Sequence, residues 1–198
     1  MLTLFTGSTM AQIISIGSLI ILQRFFYSPE EYAPFRLFFE YVAIFSSISA
    51  LRLENGIILE REEDNAISLL RICIKICFVM SLIGGGIFSL FYFKEIDVFN
   101  DEWILLILMP LAIFGNGLIQ IFQPFFTRAK SFITISSSKI FHSLVGCSTQ
   151  IITGFMGFNF LGLIIGRISG LFSADFNYLK TFYSKFKWNI RNKEVEKS

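Results

Sequence analysis

The chain has 198 residues, of which 54% are hydrophobic and only 16% are charged. Soluble domains are closer to a quarter charged, so this composition excludes an ordinary soluble domain and favours a membrane protein. The net charge of +2 is small and the basic residues do not cluster in one patch, which disfavours a nucleic acid as a partner.

Six apolar stretches of membrane length follow one another along the chain. Each is long enough to cross a hydrocarbon core of about 30 Å at a helical rise of about 1.5 Å per residue. We therefore expect an all-α polytopic membrane protein, with a six-helix lobe over residues 1–179 and a charged tail over residues 180–198 that frays. The predicted transmembrane helices cover residues 2–23, 34–53, 72–93, 103–123, 140–156 and 160–179.

In the second half of this pattern, proline residues and polar runs predict where the helices bend, end and connect. The fourth helix is predicted to be capped by Asn100 or Asp101, to kink at Pro110 and to end before Pro124. The less apolar stretch over residues 127–139 predicts an interfacial or amphipathic connection to the fifth helix. The run Gly157-Phe158-Asn159 predicts a very tight turn between the fifth and sixth helices. Earlier in the chain, an acidic run predicts a charged loop between the second and third helices.

The distribution of basic residues predicts the orientation in the membrane. With the N-terminus inside, the second loop, the fourth loop and the tail are cytoplasmic, and they hold most of the Lys and Arg residues. The outer loops hold only Arg24, Arg36 and Lys94. We therefore expect both termini in the cytoplasm. The inner basic residues before the tail are Arg52, Arg61, Arg71, Lys75, Arg128, Lys130 and Lys139.

Charged residues at the outer ends of the first two helices are candidates for a substrate cavity. Arg24, Arg36 and Glu40 lie there, and the spacing of Arg36 and Glu40 places them on one helix face. Charges in hydrocarbon are costly and usually face a bundle interior or water. A cavity lining is one interpretation; a structural ion pair, with Arg24 bound to lipid phosphate, is the other.

Arg167 lies about two turns inside the sixth helix, where it needs water, a carboxylate or a phosphate. The functional interpretation is a cavity residue. The alternative is a salt bridge within the bundle to Asp175, two turns further on.

Polar side chains also form a stripe on the fourth helix, where Asn116, Gln120 and Gln123 share one face. Such a stripe can line a hydrophilic pathway or form hydrogen bonds between helices. Gly162, Gly166 and Gly170 on the sixth helix have the small-residue spacing that allows close helix packing.

The sequence contains no pattern typical of an enzyme, a metal site or a cofactor site. The only histidine, His142, has no partner motif, and the Cys73–Cys77 pair lacks further ligands. We find no P-loop and no nucleophile motif. We therefore expect a protein without catalytic residues, metal or cofactor.

The order of three local motifs resembles O-antigen and polysaccharide flippases of the Wzx type. Residues 24–35 (RFFYSPEEYAPF) are similar to the first outer loop of these flippases, and residues 51–59 (LRLENGIIL) to their second signature. Residues 160–170 (FLGLIIGRISG) resemble their Gly-spaced sixth helix. This is the N-terminal half of the multidrug/oligosaccharidyl-lipid/polysaccharide exporter pattern.

The resemblance implies two six-helix lobes around a central cavity and the flipping of undecaprenyl-diphosphate-linked oligosaccharides in lipopolysaccharide or capsule synthesis, driven by an ion gradient. By position, it makes Arg24, Arg36 and Arg167 the candidates that contact the diphosphate. The chain has the length of one lobe, so the resemblance implies a half-transporter or a fragment. Its partners would be the lipid-linked oligosaccharide, membrane lipids, a second lobe and polysaccharide polymerase or ligase machinery.

Two other functions fit the same sequence. One is a drug or cation exporter of the same superfamily. The other is a membrane scaffold that docks polysaccharide synthesis enzymes without transporting anything.

Overall fold

The computed structural model describes residues 2–49, 51–93 and 102–195, with side chains described for 6–49, 51–93 and 102–184. This part of the chain is entirely helical and contains no strand, as the sequence predicts. The seven helices, in chain order, are α1 (Leu2–Phe25), α2 (Pro29–Ile48), α3 (Glu54–Leu59), α4 (Glu63–Tyr92), α5 (Leu105–Arg128), α6 (Phe132–Phe155) and α7 (Phe160–Val195).

Three helices in the described part of the chain are long and apolar enough to cross a membrane, which indicates a membrane protein. They are the Thr6–Phe25 part of α1, all of α4 and all of α5. Large apolar side chains on α1 and α4 point away from the protein, as lipid-facing side chains do. They include Ile13, Ile16, Ile20, Phe78, Val79, Leu82 and Leu90.

Helix α2 begins and ends earlier than the predicted 34–53. The backbone N–H of Ser28 donates a 2.7 Å hydrogen bond to the Glu31 carboxylate, which closes a capping box, and Pro29 occupies the first helical position. The helix ends at Ile48, because Leu51 and Arg52 have φ of 50° and 59°, a left-handed conformation that cannot continue a helix.

The polar segment after α2 is more helical than predicted. The short helix α3 was not expected, and α4 begins at Glu63, inside the predicted charged loop. The carboxylates of Glu63 and Asp64 in its first turn are favourable there, because they face the positive end of the helix dipole.

The predicted end of the fourth helix before Pro124 and the predicted connection over residues 127–139 are both wrong. Helix α5 continues through Pro124 to Arg128, and the lost backbone hydrogen bond is offset by burial of Phe122, Phe125 and Phe126 around it. A turn at Lys130, where φ is 52°, leads directly into α6. The proposed caps Asn100 and Asp101 lie outside the described residues.

The turn between α6 and α7 is tight, as the sequence predicts. Gly157 has a φ of 73°, and the N–H of Phe158 donates to the carbonyl oxygen of Thr153, which together form a Schellman motif. Helix α7 continues to Val195, so the tail predicted to fray from residue 180 is helical over most of its length.

The packing order of the helices does not simply follow the chain. The α6–α7 pair makes the most extensive contact, followed by α1 with α6 and α4 with α5. One apolar cluster joins α3, α4 and α5 to α6 and α7, around Phe122, Phe126 and Tyr178. A second joins α2, α4, α5 and α7 around Phe38, Phe88 and Met109. The space between α1, α2, α5, α6 and α7 is left unfilled.

Candidate functional site

A cavity of about 760 Å³ lies between α1, α2, α5, α6 and α7. Each of these five helices contributes polar side chains to it. The polar and charged lining residues are Ser8, Gln12, Ser15, Arg36, Glu40, Asn116, Gln123, Ser138, Lys139, His142, Ser143, Arg167 and Tyr178. The cavity is concave and lined by polar and charged side chains from five helices, so we take it as the candidate site.

Four of the sequence-predicted site residues line this cavity. They are Arg36, Glu40, Asn116 and Arg167. The cavity side of α2 thus carries the Arg36 guanidinium and the Glu40 carboxylate one turn apart. Among the described residues, no ion pair forms between these two groups. Both charged groups therefore remain available to a ligand.

Arg167 extends into the cavity from α7 and lies over an aromatic ring of α2. Its guanidinium carbon is 6.0 Å from the centre of the Phe39 ring, a cation–π contact. The salt bridge considered for Arg167 and Asp175 is absent, because neither Asp175 carboxylate oxygen has a hydrogen-bond partner. The reason is geometric: eight residues along a helix correspond to about 12 Å of rise and a rotation of about 80° between the two side chains.

Lys139 and His142 also line the cavity. From the sequence, Lys139 was expected in a cytoplasmic loop and His142 was given no role. The ammonium group of Lys139 donates a 3.0 Å hydrogen bond to the Ser8 hydroxyl, which joins α6 to α1 at the cavity wall. The Nδ1 atom of His142 is buried and has no hydrogen-bond partner. Had the 127–139 stretch been recognised as helix, the i, i+3 spacing of these two residues would have placed them on one face.

A smaller pocket of about 110 Å³ adjoins the cavity between α1, α2, α6 and α7. His142 and Arg167 line both spaces, so they lie at the junction. The pocket is also lined by Ser15, Ser143 and Gln150. The two serine hydroxyls are 3.2 Å apart and hydrogen-bond α1 to α6.

The polar stripe of α5 is divided between the cavity and the helix contact. The side-chain amides of Asn116 and Gln120 both donate to the buried Ser46 hydroxyl of α2, over 2.7 and 3.2 Å. Asn116 and Gln123 also line the cavity, whereas Gln120 does not. For Gln120, the structure therefore supports the interhelical use of the stripe.

The three glycines of α7 lie against α6 and the α1–α2 turn. A methyl group on Gly170 would lie 2.6 Å from the His142 carbonyl oxygen, and one on Gly162 would lie 2.5 Å from the Tyr27 hydroxyl oxygen. Gly166 lies against Gln150, whose side-chain amide donates a 3.1 Å hydrogen bond to the Leu163 carbonyl oxygen. This close approach fixes the positions of Arg167 on α7 and His142 on α6.

The turn between α1 and α2 positions the outer end of the site. Burial raises the pKa of the Tyr27 phenol, which stays protonated and donates a 3.1 Å hydrogen bond to the Gln150 carbonyl oxygen. Arg24 is exposed at the end of α1 and is not part of the cavity lining.

Over the described ranges, no group of three or more His, Cys, Asp or Glu side chains could hold a metal ion. Comparison of the chain with protein-family models, with curated proteins and with solved structures gives no match. The functional argument therefore depends on the cavity and its chemistry.

Proposed function

We propose that this chain is a six-span lobe of a flippase that moves undecaprenyl-diphosphate-linked oligosaccharides across the bacterial inner membrane. The observation that carries the proposal is the charge of the cavity, where Arg36, Lys139 and Arg167 outnumber the single carboxylate of Glu40. Its volume lies in the range of about 300–1,000 Å³ that is usual for small-molecule sites. Guanidinium groups match the oxygens of phosphate in charge and in geometry.

The remaining lining suits the sugars of such a substrate. Serine, asparagine and glutamine side chains supply hydrogen-bond donors and acceptors for sugar hydroxyls, and the Phe35 and Phe39 rings supply apolar faces. The lining combines polar and apolar side chains, as an amphipathic ligand requires. Transport of this kind needs no covalent chemistry or cofactor from the chain.

The six-span arrangement adds α2, α6 and α7 to the three apolar helices. These helices have 20, 24 and 36 residues, so each is long enough to cross the bilayer. Their polar side chains lower the hydropathy, but many of them face the cavity, where intramembrane polar groups are tolerated. The proposal includes cytoplasmic termini and a second lobe, from another copy or another chain, that completes the site.

Binding of undecaprenyl diphosphate to the protein in nanodiscs tests the proposal. Arg167→Ala removes a charge-assisted contact worth about 1.5–3 kcal/mol, so we expect binding roughly 10- to 100-fold weaker. Lys139→Ala should weaken binding in the same direction. Arg24→Ala is the matched control, since it removes an arginine outside the cavity and should leave binding unchanged.

The same preparation separates the proposed function from its alternatives. A cation exporter would bind a lipophilic cationic dye in the cavity, and Arg167→Ala would strengthen that binding by removing repulsion. A scaffold would bind neither ligand in the cavity. Equal affinity of wild type and Arg167→Ala for undecaprenyl diphosphate would refute the proposed function.

A further inference from the structure

The carboxyl group of Asp175 is buried on α7 without any polar partner. The residue is 2% exposed, and neither of its carboxylate oxygens has a hydrogen-bond partner. Gly115 of α5 and Leu171 of α7 lie beside it: a methyl group on Gly115 would lie 3.5 Å from Oδ2 and 3.4 Å from Cβ of Leu171. A buried charge without a partner is strongly disfavoured, whereas a neutral carboxylic acid costs far less.

We propose that Asp175 is a proton-binding site, which holds a proton while α5 and α7 are in contact as in this structure and releases it when that contact opens. The proton is carried by the carboxyl group itself, which becomes a carboxylate on release. The inference depends on burial and hydrogen bonding, and it makes no use of the lipid-linked substrate.

The position of Asp175 beside the cavity gives the proton an exit. Leu171, Ala174 and Tyr178 of α7 line the cavity, and Asp175 lies within about one helical turn of each of them. Gly115 of α5 lies beside the carboxyl group. A movement of α7 relative to α5 would bring the carboxyl group to the polar space, where the carboxylate is stable.

The surroundings favour a proton over a metal cation. A hard cation takes several oxygen ligands, whereas neither Asp175 oxygen has a hydrogen-bond partner. A proton needs only the carboxyl group. The ionisable side chains that interact with it electrostatically include the Cys77 thiol on α4 and the Tyr178 phenol on α7.

The charged and titratable groups on the cavity side belong to the helices packed against α7, and to α7 itself. The test therefore has to assign its signal to a single residue. These groups are Arg36 and Glu40 on α2, Lys139 and His142 on α6, and Arg167 on α7.

Infrared spectroscopy of the purified protein in nanodiscs tests the proposal directly, through the carbonyl stretch of a protonated carboxylic acid. We expect this band in the wild type at neutral pH, its loss as the pH rises, and its absence in Asp175→Asn. Glu54→Gln is the matched control, because Glu54 is, among the described residues, the second buried carboxyl group with an unpartnered oxygen. The band should persist in that variant.

A second variant keeps Asp175 in place, should Asp175→Asn fail to fold. Gly115→Ala adds a methyl group in ordinary van der Waals contact with Oδ2, which makes the surroundings more apolar. We expect the pH at which the band disappears to move upward. No acid band at neutral pH in the wild type, or an unchanged band in Asp175→Asn, would overturn the proposal. Loss of the band on adding sodium at constant pH would overturn it in favour of a metal cation.

Amide hydrogen exchange tests whether proton release from Asp175 is coupled to opening of the contact between α5 and α7. Above the pH at which the band disappears, amides in residues 105–128 and 160–179 should exchange faster in the wild type than in Asp175→Asn at the same pH. Below that pH the two proteins should exchange equally. Equal exchange on both sides would show that proton release does not open the contact.

Discussion

Substitution of Gly166 by alanine tests a close contact between α6 and α7. An added methyl group would lie 2.8 Å from the backbone nitrogen of Gln150 and 3.1 Å from its Cα atom. Backbone atoms cannot move aside unless α6 shifts as a whole, so the two helices have to separate. The shift also disturbs the hydrogen bond from the Gln150 amide to the Leu163 carbonyl oxygen.

The expected change in the free energy of unfolding combines two destabilising contributions and one stabilising contribution. Overpacking costs about 1–3 kcal/mol, and a side-chain hydrogen bond between membrane helices contributes about 0.6 kcal/mol on average. Replacement of glycine by alanine inside a helix gains about 0.5–1 kcal/mol. The free energy of unfolding of Gly166→Ala should therefore be lower than that of the wild type by roughly 0.5–3 kcal/mol.

Gly86 supplies the matched control, because it lies inside α4 and a methyl group there meets no atom within 4 Å. Only the helix-propensity gain applies, so Gly86→Ala should be more stable by about 0.5–1 kcal/mol. Reversible unfolding in mixed micelles of dodecyl sulfate and dodecyl maltoside, followed by far-ultraviolet circular dichroism, measures both variants. A Gly166→Ala protein as stable as Gly86→Ala would refute the close approach of α6 and α7.

Two further substitutions are measured in the same unfolding assay. Glu31→Ala removes the carboxylate that accepts the Ser28 N–H at 2.7 Å, so the free energy of unfolding should fall by about 1 kcal/mol; a change below about 0.2 kcal/mol would argue against the capping box. Ser46→Ala removes the hydroxyl that two amides of α5 share, and stability should fall by about 0.6–1.5 kcal/mol. A stabilising effect of Ser46→Ala would mean that α2 and α5 are not joined at this point.

The long helices were predictable because their apolar length dominates every local signal. Helix α1 agrees with the predicted 2–23 to within its last turn, and the tight turn at Gly157 was visible in the sequence. The C-terminal end of α5 and the start of α6 were not predictable from local rules. Proline at position 124 is a helix breaker in isolation, but the surrounding phenylalanine side chains are buried only if α5 continues.

The start of α6 shows why the polar side of the site was incompletely predicted. Its serine and threonine residues suggest a solvated connection, yet Thr134, Ser136 and Ser138 are buried between helices. The Asn177 amide of α7 donates to the Ser138 hydroxyl over 2.8 Å, so the polarity serves contacts inside the bundle. Treating this stretch as a connection placed Lys139 in a cytoplasmic loop, although it lines the cavity.

Hydropathy is lowest in the helices that carry most of the cavity's charge. Helix α4 satisfies a hydropathy criterion for membrane spans and contributes no side chain to the cavity. Helices α2, α6 and α7 do not satisfy it, and they carry all three cations and the single carboxylate of the lining. This is expected wherever a membrane protein encloses a polar space, because a side chain that faces the cavity is not selected for solubility in lipid. Under the six-span proposal, the polar surface that α2, α6 and α7 present to the cavity accounts for their reduced apolar content, and substitutions in these helices should affect ligand binding most.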